Sequence, residues 1–113
     1  MTLWTALVGW LPAFVLTEVI EAAIYRLGAR ASWAGALLAS ALTHPLVWFV
    51  FPALFEDALG YWPMVALAEV FAVGVEAAWL AHRGARRPLV WSAVANAASV
   101  AVGLALRHTV GVP

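Results

Sequence analysis

The sequence predicts an all-α membrane protein, a single domain over residues 1–113 whose four transmembrane helices form two tandem helical hairpins. Three observations carry this expectation. Hydrophobic residues make up 65% of the chain and charged residues only 11%, with a mean hydropathy of +0.94, whereas a soluble domain gives about a quarter of its residues to charge. The apolar residues fall into four runs, each near the ~20 residues a helix needs to cross ~30 Å of hydrocarbon. Between the runs lie three short polar stretches bearing glycine or proline, where turns are needed.

The first run, Leu3–Tyr25, has no basic residue before it and carries Glu18 and Glu21 where the apolar core of a cleaved leader would end, so it reads as a retained helix. The turn Arg26–Arg30 follows. The second run, Trp33–Phe55, contains His44-Pro45; the missing proline N–H can open a kink beside the imidazole. Glu56–Gly60 is the expected second turn, leading into Trp62–Ala81, and the arginine-rich His82–Pro88 leads into Leu89–Leu106. Trp4, Trp33, Tyr61, Trp62 and Trp91 stand at run ends, as an interfacial aromatic belt requires.

Every basic residue is an arginine. Arg26, Arg30, Arg83, Arg86 and Arg87 lie in the first and third turns, while Arg107 stands alone on the opposite side with Glu56 and Asp57. The positive-inside rule then puts both arginine-rich loops in the cytoplasm and both termini outside, in what is expected to be a bacterial inner membrane. A net charge of zero gives no electrostatic case for nucleic acid, and the lack of cysteine removes disulfides, thiolate metal sites and cysteine nucleophiles.

The two halves match one another in places. Leu16-Thr17-Glu18-Val19-Ile20 pairs with Leu67-Ala68-Glu69-Val70-Phe71, Glu21-Ala22-Ala23 with Glu76-Ala77-Ala78, and Gly28-Ala29-Arg30 with Gly84-Ala85-Arg86. Both copies run in the same direction, so a duplicated hairpin would give parallel repeats about an axis along the membrane normal.

Glu18, Glu21, Glu69 and Glu76 fall inside the runs. An acid at mid-helix costs about 2.5–3.5 kcal/mol on insertion, so two cost the first run roughly 5–7 kcal/mol against the 3–6 its large apolar residues return. At least one of these carboxyls is therefore expected to be neutral or paired. Helical spacing lets the groups meet: Glu18 and Glu21 share a face, as do Glu69 and Glu76; Ser40 and His44 share one with Thr43 adjacent; Ser92, Asn96 and Ser99 form a stripe. Counted from the arginine-rich end, Glu21 and Glu76 lie about 6–8 Å deep, Glu18, Ser40 and Asn96 roughly 10 Å, and Ser99, His44 and Glu69 roughly 15–18 Å. A cluster of Glu18, Glu21, His44, Glu69, Glu76 and Asn96, supported by Ser40, Thr43 and Ser99 and open toward the arginine loops, is the expected site. Glu18 and Glu69, the deeper acids, are the expected functional carboxylates, with Glu21 and Glu76 near enough to the interface to pair with Arg26 or Arg83. The serines, Ser92 included, serve equally well as plain interhelical hydrogen bonds.

Three classes of function fit such a cluster. Proton- or cation-coupled transport leads, because deep carboxylates that change protonation are its usual machinery, and a chain this small is expected to act as a homo-oligomer or with a membrane-protein partner. Thr17-Glu18-Val19-Ile20 resembles the first-helix glutamate segment of the small multidrug resistance transporters, a likeness confined to that neighbourhood. It implies Glu18 as a shared proton and drug site, but the later runs lack that family's third-span glycine and tryptophan pattern and add Glu69, Glu76 and His44. A non-catalytic membrane scaffold is the second class. Metal-dependent intramembrane chemistry is the third: glutamates with one histidine and an asparagine could ligate a hard or borderline cation. There is no His-Glu-x-x-His or Gly-x-Ser-x-Gly, and Glu18, Glu21 and Arg26 do not have the Glu-Glu-x-x-x-Arg spacing of intramembrane glutamate proteases.

Overall fold

A computed structural model describes residues 2–110. Four long helices follow in order: α1 (Leu3–Leu27), α2 (Trp33–Leu59), α3 (Tyr61–His82) and α4 (Pro88–Val110). There is no strand among the described residues. Each helix is long and apolar enough to cross a membrane, and the chain reads as an integral membrane protein. α1 packs against α2 and α4, and α3 packs against the same two. The result is a square, up-down-up-down bundle measuring 39 × 28 × 25 Å.

Local chemistry sets the helix limits. The Thr2 hydroxyl accepts the Thr5 N–H (3.1 Å) at the start of α1, and the Ser32 hydroxyl accepts the Gly35 N–H (3.0 Å) at the start of α2, each satisfying a donor that has no partner within the helix. α2 is α-helical to Pro45 and then widens into π-helical turns over Leu46–Val50 and Pro52–Glu56 before closing at Asp57–Leu59. Pro45 and Pro52 each lack an N–H and crowd the carbonyl four residues earlier. The chain absorbs this by reaching one residue further back, as when the Phe51 N–H bonds the Leu46 carbonyl.

The second turn is shorter than the sequence predicts. Glu56, Asp57, Ala58 and Leu59 belong to α2, and Gly60 alone reverses the chain at φ 84°. Its N–H bonds the Glu56 carbonyl (2.8 Å) while its own carbonyl accepts from Met64 (3.1 Å), so one residue ends α2 and begins α3. Only glycine takes that backbone conformation without strain. Glu56 and Asp57 therefore extend the far end of the helix and do not interrupt it.

The interior is built from small side chains. Ala22, Ala36, Ala39, Ala68, Ala72 and Ala95 are buried, while large apolar residues face outward, Trp4 at 73% and Val70 at 72% exposure among them. A soluble protein of this size could not display that much apolar surface. In lipid it carries no penalty, and the helices gain by approaching closely over alanine.

At one end the first and third turns meet, with the Arg86 N–H donating to the Ala29 carbonyl at 2.7 Å. Gly28 sits under the Trp91 ring so tightly that an added Cβ would lie 2.6 Å from it. Gly28→Ala should therefore lower stability by about 1–3 kcal/mol through overpacking. Gly9→Ala, where nothing lies within 4 Å, should be neutral or raise stability by up to about 1 kcal/mol through helix propensity. Thermal melts of the two variants in one detergent check the contrast.

Candidate functional site

The polar side chains of the bundle meet between the two hairpins, around Glu21 of α1 and Glu76 of α3. Each lies six residues before the arginine-rich end of its helix, about 9 Å along the axis. Each is only 1% exposed. Acids this deeply buried need partners, and neighbouring helices supply them. Glu21 Oε1 accepts from the Ser40 hydroxyl of α2, and Oε2 from the Ser99 hydroxyl of α4, both at 2.6 Å. Glu76 Oε1 accepts from the Tyr25 hydroxyl of α1 (2.5 Å) and from Asn96 Nδ2 of α4 (3.3 Å), and Oε2 from the Thr43 hydroxyl of α2 (2.6 Å). The two carboxyl groups share the same neighbouring helices, each bonded to side chains of α2 and α4.

The pattern of donors is regular. Each carboxyl accepts one bond from the second helix of its own hairpin, Ser40 for Glu21 and Asn96 for Glu76. Each accepts another from the second helix of the opposite hairpin, Ser99 for Glu21 and Thr43 for Glu76. Tyr25 breaks the correspondence: one turn from Glu21 it donates across to Glu76, while Leu80, one turn from Glu76, has no donor to offer.

Two of the hydroxyls have a second acceptor in reach. Ser99 Oγ lies 3.1 Å from the Asn96 carbonyl, and Thr43 Oγ1 lies 3.4 Å from the Ser40 carbonyl. A hydroxyl has one hydrogen and two lone pairs. When its carboxyl is ionised it donates to it; when the carboxyl holds a proton, the hydroxyl can accept and turn its hydrogen to the helix carbonyl. Either state leaves every group bonded.

Of the residues the sequence singled out, Glu21, Glu76, Asn96, Ser40, Thr43 and Ser99 come together here. The others do not. Glu18 is half-buried on α1 with Oε1 buried and without a hydrogen-bond partner. Glu69 lines a groove of about 520 Å3 between α3 and α4, with Val70, Val73, Leu89, Asn96 and Val100. His44 lies apart, between α1 and α2. Its Nδ1 accepts from Trp10 Nε1 at 2.8 Å, its Nε2 meets the Thr17 hydroxyl at 3.3 Å, and Phe14 and Trp48 pack beside the ring at 5.5 and 6.0 Å. An indole nitrogen only donates, which fixes His44 as neutral with its proton on Nε2. The arginines are not partners of the acids: Arg26 donates to the Ala31 carbonyl (2.8 Å) over the Trp33 ring, and Arg83 bonds Ser32 (3.3 Å) over Trp79.

The cluster is also closed, not open toward the arginine loops. Tyr25, Leu80, Ala29 and Ala31, all buried, lie between the carboxyl pair and that end. Sequence reasoning missed Tyr25, whose spacing of four from Glu21 was the available signal. It also missed Trp10, whose contact with His44 depends on how α1 and α2 are rotated. For a metal the pair would offer two carboxylates, with Asn96 and the hydroxyls of Tyr25, Ser40, Thr43 and Ser99 around them. Among the described residues no three His, Cys, Asp or Glu side chains are grouped to hold one.

No protein-family model, curated protein or solved structure matches the chain.

Two expectations follow from this geometry. Tyr25→Phe removes one donor to a buried carboxyl and should cost about 1–2 kcal/mol, read as a lower midpoint of unfolding in mixed micelles. Nitrogen NMR of labelled histidine should show His44 as the neutral Nε2–H tautomer at neutral pH, and Trp10→Phe should release that preference.

Proposed function

We propose that this protein is a small proton-coupled membrane transporter or ion-binding protein in which the Glu21–Glu76 pair takes up and releases the proton. The observation that carries this reading is the pair itself: two buried carboxyls, one from each hairpin, each bonded to a hydroxyl, Ser99 or Thr43, that has a second acceptor to turn to when the carboxyl holds a proton. A protein that needed only to hold its helices together would not require two acids at a point where each alone strains insertion.

The matched donors, Ser40 with Asn96 and Thr43 with Ser99, support a duplicated hairpin whose two copies share one site. The arginine-rich turns would lie in the cytoplasm of a bacterial inner membrane, with both termini outside, by the charge bias. Glu18 and Glu69 supply a reason for a second subunit or a membrane-protein partner, since neither has a hydrogen bond within the described chain. A non-catalytic scaffold is the competing reading, and the complete hydrogen bonding of a closed cluster favours it.

Proteoliposomes carrying a pH-sensitive dye separate the two. The wild type should pass protons, and Glu21→Gln or Glu76→Gln should lower that flux by at least about two orders of magnitude, the usual contribution of a proton-carrying side chain. Glu56→Gln, at the exposed far end of α2, should leave it unchanged. Infrared difference spectra at neutral pH should show a protonated carboxyl band that weakens in the first two variants. Wild-type flux in both would overturn the proposal. A wild type with neither flux nor band would favour the scaffold.

A further inference from the structure

The end of the bundle formed by the first and third turns carries Arg26, Arg30, Arg83, Arg86 and Arg87, all the cations of the chain but Arg107. We propose that this end is a binding surface for anionic phospholipid headgroups, with Arg30, Arg86 and Arg87 as the arms that hold the phosphates. The inference rests on the chain lying in a membrane and is independent of the proton reading.

The two turns form one surface, because the Arg86 N–H is bonded to the Ala29 carbonyl next to Arg30. Arg26 and Arg83 are engaged by Ala31, Trp33, Ser32 and Trp79. Arg30, Arg86 and Arg87 are exposed, and among the described residues no hydrogen bond or ring contact involves their guanidinium groups.

Nothing there balances their charge. Residues 26–33 and 82–89 contain no acid, the nearby Glu21 and Glu76 are bonded inside the bundle, and Glu56 and Asp57 stand at the other end of α2. The level of these arginines identifies the anion they meet. They lie just beyond the helix ends, where the exposed Trp33 marks the edge of the hydrocarbon and headgroup phosphates sit. A guanidinium fork suits phosphate better than an ammonium does.

The backbone adds a separate sign. Among the described residues, Arg30 (φ 57°) and Arg87 (φ 47°) are the non-glycine positions in the left-handed region, where glycine or asparagine would sit with less strain. Strain kept for the sake of a particular side chain marks a position where that side chain is used.

The test takes the purified full chain in neutral detergent with phosphatidylglycerol, phosphatidylcholine or inorganic phosphate, reading melting temperature and lipid retention by native mass spectrometry. Phosphatidylglycerol should raise the melting temperature and stay bound. The R30Q/R86Q/R87Q variant should lose affinity for it on the order of a hundredfold, while R30K/R86K/R87K, which keeps the charge and loses the fork, should fall between it and the wild type. Equal stabilisation by phosphatidylcholine or by phosphate alone, or retention by the glutamine variant, overturns the proposal. If that variant does not insert, the wild type decides: binding must weaken as salt rises, and salt-independent binding overturns it. Glu21→Gln, which leaves this surface intact, must still bind phosphatidylglycerol whatever its proton flux.

Discussion

A carboxyl group in hydrocarbon has no water to bond, so the protein must bring every donor to it. That requirement governs this bundle. Glu21 and Glu76 are met by hydroxyls and an amide from α1, α2 and α4, and each of those bonds fixes the rotation of one helix against another. Between apolar helices in lipid there is no hydrophobic drive to associate. Polar bonds and close packing have to settle which faces meet, and here both act at one place.

The packing is the other half of that arrangement. Ala36 and Ala39 flank the Ser40 face of α2, and Ala95 adjoins Asn96 on α4; all three are fully buried. Short hydroxyls such as Ser40 and Thr43 reach a carboxylate on another helix at 2.6 Å only if the backbones are close, and alanine allows that approach. Larger residues at these positions would hold the helices apart and leave the acids without donors. Gly28 plays the same part near the turns, leaving room for Trp91 to cover the end of α1.

The four spans were legible in the sequence because a bilayer selects for windows of about twenty apolar residues, and such windows survive local irregularity. The second turn was not, because Glu56 and Asp57 are loop-like by composition yet continue the helix to Leu59. Pro45 and Pro52 signalled a disturbance in α2 but not that it would take the form of widened turns. Within the site, spacing put Asn96 with Ser99, and both donate to the acids. It also put Glu18 with Glu21, Glu69 with Glu76 and His44 with Ser40, and only one of each pair bonds in the cluster. Depth was no better a guide to which acids would meet. Glu18 and Glu69 lie deeper than Glu21 and Glu76, yet the shallower two turn toward the axis. That choice depends on how each helix is rotated about itself, which spacing along one strand of sequence does not contain. His44 illustrates the same gap, since its partner Trp10 lies 34 residues away on a helix whose facing side had to be known first.

The equal placement of Glu21 and Glu76, six residues from the same end of parallel helices, has an electrical consequence. On the proposed reading, a proton passing from one to the other would move within the membrane plane and cross none of the transmembrane voltage, which does work only on charge displaced along the normal. Such exchange would be indifferent to how strongly the cell is energised. Voltage would act only on entry to that plane and exit from it.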